Sequence, residues 1–179
     1  MVDKLIWNKA LFIAASLGLI TACSSNYDMK KSTGLGKSIS ESQLQAWNID
    51  INTKGVGLPA GSGSVAAGEL VFQQQCASCH GAQGQGGVAN RLVGGGGLNT
   101  ANPIKTVASY WPYATTIFDY TRRAMPHNAP QSLSNDQVYA VTAYILFLSK
   151  IIPSDSVMNA QTLPLVKMPN QGGFIPIER

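Results

Sequence analysis

The sequence predicts an all-α domain, on three observations. The segment "SNDQVYAVTAYILFL" opens with a reciprocal capping signal, Ser134 with Gln137 three residues on, and continues with apolar residues at helical spacing. Two more helical patterns lie upstream, and nowhere do apolar and polar residues alternate as they would along a half-buried strand. Between those two patterns runs "GAQGQGGVANRLVGGGGLNTANP", residues 81–103, so rich in glycine that it predicts an irregular loop able to approach something flat very closely.

The first helix is predicted from Val65 to Cys76, "VAAGELVFQQQC", with Leu70, Val71 and Phe72 supplying its bulk. The second, "YATTIFDYTRRAM" from Tyr113 to Met125, starts just after Pro112, and Ile117, Phe118 and Tyr120 are spaced to give it a buried side. The third starts at Ser134, where Leu133 can staple onto Val138. Val138, Val141, Ile145 and Leu148 then line one face, and the helix stops before Pro153. These elements define a domain over residues 64–150. Residues 151–179 contain Pro164, Pro169 and Pro176 and show no periodicity, which predicts an extended tail, loose or wrapped on a partner.

Residues 1–22 read as an export signal. Lys4 and Lys9 precede the short apolar run "ALFIAASLGLI", which at about half the ~20 residues of a bilayer span is too short for a transmembrane helix. The run ends in "LITAC", the pattern of a lipobox, so Cys23 is expected to be lipidated and to hold the chain to a membrane. An unmodified thiol there would be disfavoured in an oxidising compartment. Cleavage would leave 179 − 22 = 157 residues. Residues 23–63 form a tether and N-terminal arm: a Ser/Gly/Lys-rich stretch, a short helical turn starting at Ser40 or Ser42, Trp47 as an anchor, then the structure-breaking "GVGLPAGSGS". The "GLGKS" in the tether is not a phosphate-binding loop, because Lys31 stands where the first glycine is needed and no strand precedes it.

With 179 residues and 45% apolar content, the chain is long and apolar enough for one packed domain. Its net charge is +4, but the charges are scattered and no Lys/Arg stripe is interleaved with aromatics, so nucleic-acid binding has no support. Arg122 and Arg123 read as a solvated helix face, available to a docking partner.

The chemistry lies in "CASCH", Cys76 to His80. C-x-x-C-H is the attachment signature of c-type haem: Cys76 and Cys79 form thioethers with the two vinyl groups, and His80 becomes the proximal iron ligand. A thioredoxin-type site would want a βαβ context and a helix after the motif, and here glycine-rich loop follows. Zinc would want further ligands, yet the only other histidine is His127 and the only other thiol is Cys23. A disulfide across two residues would be strained. On the far side of the iron, Met125 is the expected ligand, with Met168 as competitor and His127 as the bis-histidine alternative. Met158 is the remaining methionine beyond the signal and tether. Thioether ligation raises the reduction potential and leaves no open position for substrate, which suits a carrier of electrons. Arg91, Tyr110 and Trp111 are the candidate haem-propionate partners, as fork-shaped donor and as aromatics with hydrogen-bonding tips.

Helix, "CASCH", glycine-rich loop, helix, "MP" and capped final helix in that order resemble a class I monohaem cytochrome c over about residues 64–150. The resemblance implies that the first and last helices cross beside the haem. "AWNIDI", "GLPAGSGSVAAGELVF", "RLVGGGGL", "KTVASYWPYATTIFDYTRRAMP", "NAPQSLSNDQVYAVTAYILFLSKII" and "NAQTLPLVKMPNQGGF" are similar more narrowly to the cytochrome subunits of periplasmic sulfane (Sox-type) and sulfite dehydrogenases. That similarity implies one haem c held by Cys76 and Cys79, ligated by His80 and Met125. It also implies a molybdopterin dehydrogenase subunit as electron donor, a downstream cytochrome c or oxidase as acceptor, and a periplasmic location. Three features depart from the family's pattern: His127 after "MP", a single haem motif where some relatives carry two, and the lipidation signal at Cys23.

Overall fold

The computed structural model describes residues 36–45 and 47–175. The export signal, Cys23 and most of the tether lie outside them. The chain divides into two units, 1–44 and 45–179. Near the end of the first, helix α1 (Glu41–Gln45) starts at Ser40, whose hydroxyl accepts from the Gln43 amide at 3.3 Å while the Gln43 side chain accepts from the Ser40 amide at 2.9 Å. This is the short turn expected at Ser40, closed by a capping box.

The second unit carries strand β1 (Ser62–Ser64), α2 (Val65–Gln75), α3 (Ala77–His80), α4 (Ala114–Ala124), α5 (Asn135–Leu148), strand β2 (Val157–Asn159) and a 3-10 turn at Leu163–Leu165. Among the described residues no helix is long and apolar enough to cross a membrane. Ser64 caps α2 by accepting from the Ala67 amide at 3.1 Å. At α5 the hydroxyl of Ser134 accepts from the Gln137 amide at 3.3 Å, and Gln137 Oε1 accepts from the Ser134 amide at 2.8 Å, completing the predicted capping box.

Helix α5 is the centre of the core. Every residue from Val138 to Leu146 is buried, so the helix is enclosed on all sides rather than along one stripe. Phe72 comes to it from α2, and Ile117 and Phe118 from α4; the rings of Phe118 and Tyr139 lie 4.3 Å apart, and those of Phe72 and Tyr144 5.3 Å. Tyr139 donates its hydroxyl to the Pro59 carbonyl at 2.8 Å, and burial pushes its phenol up, keeping the donor proton in place.

The first and last helices do cross, at glycine. A Cβ on Gly68 would run into the Ala140 carbonyl of α5, and one on Gly63 into the Ala140 backbone, so two glycines let the elements touch backbone to backbone. Tyr120, expected on the buried side of its helix, is 48% exposed, and Leu70, one of the residues giving bulk to α2, is 66% exposed, while Phe72 and Phe118 are fully buried. Trp47 is 85% exposed and anchors nothing in this unit.

Three expectations change. A pair of strands exists: β1 and β2 pair antiparallel, with Ser62 opposite Asn159, Gly63 opposite Met158 and Ser64 opposite Val157. Residues 151–168 are not a loose tail, because Met158, Leu163 and Met168 are buried in the same core as α5. Irregular backbone hid a set of widely spaced apolar residues that the helices alone leave room for. Finally, Arg123 is exposed, as expected of a solvated helix face, but both arginines also reach the N-terminal arm. Arg122 donates to the Ile49 carbonyl at 3.5 Å, and Arg123 pairs with Asp119 and, at 3.2 Å, with Asp50, so both hold the N-terminal arm against α4.

Candidate haem-binding site

The motif is built as one helical turn hung on the end of α2. Cys76 caps α2 through its amide, which donates to Phe72 at 2.9 Å, and its own carbonyl then accepts from His80 at 2.9 Å and starts α3. Cys76, Cys79 and His80 therefore stand at positions i, i+3 and i+4, which share one face of a helix. Gly81, at φ +81°, ends the turn in a conformation few other residues tolerate.

The loop that follows doubles back on the motif. Gly86 donates to the His80 carbonyl at 2.7 Å and Ala89 to the Cys79 carbonyl at 2.9 Å. This places the Asn90 carbonyl 2.7 Å from His80 Nδ1. A carbonyl there fixes the proton on Nδ1 and leaves Nε2 as the ligating nitrogen, with its basicity raised.

The two thiols are unpaired, Cys76 half-buried against the core and Cys79 exposed. Burial, and then the neighbouring Cys79, pushes the Cys76 thiol up to about 11. A redox-active dithiol needs a thiol lowered towards neutrality, so the environment runs opposite to a thioredoxin-type site. Among the described residues no group of three or more His, Cys, Asp or Glu converges on a metal position. Two unpaired thiols on one helical face with an oriented imidazole beside them fit covalent haem.

Met125 caps the C-terminus of α4, its amide donating to Thr121 at 3.0 Å, and it is half-buried beside the buried Pro126. Met168 and Met158 are 4% and 6% exposed and belong to the hydrophobic core cluster. His127 is exposed on the loop after Pro126.

The propionate candidates do not form one cluster. Arg91 is exposed and lines an open groove of about 640 Å³ with Asn90, Gln85, Ile104 and Lys105. Tyr110 and Trp111 are half-buried on the approach to α4. Trp111 meets Tyr120 edge-on at 5.6 Å, while Tyr110 meets Phe174 edge-on at 5.2 Å and has Lys105 Nζ 4.8 Å from its ring centre. A knot of Thr106 and Ser109 holds this stretch: each hydroxyl accepts from the other residue's amide at 3.0 Å, and the Thr106 hydroxyl donates to Gly94 at 3.1 Å. Sequence reasoning missed Asn90 and Asn170. Asn90 acts through its backbone, which leaves no trace in residue type, and Asn170 lies in the unpatterned tail.

A family model described as cytochrome c oxidase, cbb3-type, subunit III matches residues 63–145. Among solved structures, a chain in the crystal structure of the sulfane dehydrogenase SoxCD from Paracoccus pantotrophus is 39% identical, with a TM-score of 0.77. The match covers 83% of this chain and 74% of that one. No curated protein matches. The helical order, the crossing at Gly68 and the motif turn are those of a class I fold carrying covalently bound haem c, and the chain belongs to the Sox-type c-type cytochromes.

Proposed function

We propose that this cytochrome accepts single electrons from a molybdopterin dehydrogenase subunit that oxidises a reduced sulfur compound, sulfite or sulfane, and passes them to a downstream cytochrome c or oxidase. The carrying observation is the likeness to a chain of a sulfane dehydrogenase, which extends over most of the chain rather than the haem motif alone. Haem c supplies the one-electron couple. Cys76 and Cys79 would hold it, His80 would ligate through the nitrogen that the Asn90 carbonyl leaves available, and Met125, at the end of α4, would supply the second iron ligand. In this reading the bond-breaking belongs to the partner subunit and this chain transfers electrons.

Location follows the N-terminal signal: the chain is exported to the periplasm and held to a membrane through lipid on Cys23. A second reading, a tethered shuttle to a terminal oxidase with no dehydrogenase partner, draws on the family model named for an oxidase subunit. Isolation of the native complex separates the two. The first reading expects a molybdenum subunit to co-purify and sulfite or a sulfane to reduce the haem only in its presence. A haem reduced equally well without that subunit, and none co-purifying, would favour the shuttle.

A further inference from the structure

We propose that Asn170 is a positioning residue for the haem environment: from the C-terminal segment it fixes the peptide of Tyr110 and so sets how tightly the Tyr110–Trp111 pair closes the propionate side of the site. This rests on reading Tyr110 and Trp111 as propionate partners.

The Tyr110 peptide is gripped from both ends. Its amide donates to the Thr106 carbonyl at 2.9 Å, inside the Thr106–Ser109 knot. Its carbonyl accepts from Asn170 Nδ2 at 2.6 Å, across 60 residues of sequence. That bond is partly buried, where water reaches an orphaned carbonyl poorly and loss of the partner is costly. Asn170 is itself firmly placed. Met168, two residues before it, is buried in the core, Gln171 donates to the Met168 carbonyl at 3.1 Å, and Gly173 donates to the Asn170 carbonyl at 3.0 Å. The turn then delivers Phe174 to the outer side of the Tyr110 ring, which also faces the Lys105 ammonium. The adjoining residue, Trp111, packs on the core and leads straight into α4, the helix that ends at Met125. Thus one amide in the tail fixes a segment whose register both aromatic residues share. Loosening it admits water to the charged edge of the haem, and solvent around the iron favours the oxidised, more highly charged state.

The test uses the haem-loaded, full-length protein and reads the reduction potential across neutral pH. Asn170→Ala and Asn170→Asp, which cannot donate to a carbonyl at neutral pH, are expected to shift the oxidised-to-reduced ratio at fixed poise about tenfold towards oxidised, some 59 mV for one electron. Asn170→Gln, which keeps the amide, should return most of the shift, and the near-infrared Met–iron band should persist in all three. A potential unchanged in Asn170→Ala and Asn170→Asp, while Tyr110→Phe moves it, would overturn the positioning role and leave the reading of Tyr110 standing. If Tyr110→Phe is also silent, both fall, and the persisting Met–iron band shows that the carrier reading does not fall with them. Should Asn170→Ala fail to load haem, Phe174→Ala decides: this half-exposed ring lies on Tyr110 from the same turn, and the same downward shift is expected, with no shift counting against the proposal.

Discussion

At the scale of single residues, the site divides into groups that act through side-chain chemistry and groups that act through backbone. Met125 belongs to the first. Met125→Ala is expected to abolish the near-infrared Met–iron band and lower the reduction potential, since a thioether ligand favours the reduced iron. A spectrum unchanged by that substitution would leave His127 or an open iron position as the alternatives, and binding of added imidazole or carbon monoxide would tell those apart. Cys76, Cys79 and His80 were legible at once because one turn of helix presents all three, so spacing in sequence is spacing in space. The Asn90 carbonyl that orients His80 was not legible, since any residue supplies a carbonyl and only the fold of the glycine loop brings this one to 2.7 Å. Sequence sets aside Met1 and Met29 in the signal and tether, and only the fold shows that Met158 and Met168 are buried while Met125 is half-buried.

Among the elements, the contact of α2 with α5 decides the most. In an isolated helix Gly→Ala is stabilising by roughly 1 kcal/mol. At Gly68 the added methyl would strike the Ala140 carbonyl and the Cβ of Tyr144, a cost of about 1–3 kcal/mol for overpacking. The second effect is larger, so Gly68→Ala is expected to destabilise, as a lowered denaturant midpoint at unchanged slope. Ser134→Ala removes the oxygen that satisfies the Gln137 amide and should cost about 0.5–2 kcal/mol by the same measurement. Helices α2, α4 and α5 could be read from periodicity, caps and the prolines beside them, α2 and α4 to within a residue at each end, whereas the end of α5 at Leu148 was bounded only by Pro153. The strands could not: three residues apiece, "SGS" and "VMN", are too few to show alternation, and their pairing is a long-range event. Tyr120 was misjudged because an apolar residue just off the buried stripe looks the same in sequence as one on it.

For the molecule as a whole, the C-terminal segment belongs to the domain's stability as well as to its surface. Leu163→Ala is expected to cost about 2–5 kcal/mol, a large part of the roughly 5–15 kcal/mol that holds a domain of this size, and thermal unfolding monitored by circular dichroism would read it. Truncation after residue 152 removes Met158, Leu163 and Met168 together and should leave no cooperative transition. The boundary drawn at 150 followed secondary structure, whereas the core is drawn by burial, and irregular chain can bury apolar residues without periodicity.

The pairing of Ser62 with Asn159 also fixes an order of events. A chain that emerges amino end first cannot close this core until its last third has arrived, because β2, Leu163 and Met168 complete it. The "CASCH" turn emerges long before that, while Phe72 and α5 have yet to meet. Both thiols therefore pass through a period in which they are reachable, Cys76 included, although the finished fold half-buries it. A chain truncated before β2 is therefore expected to react at Cys76 with a thiol reagent faster than the full-length chain.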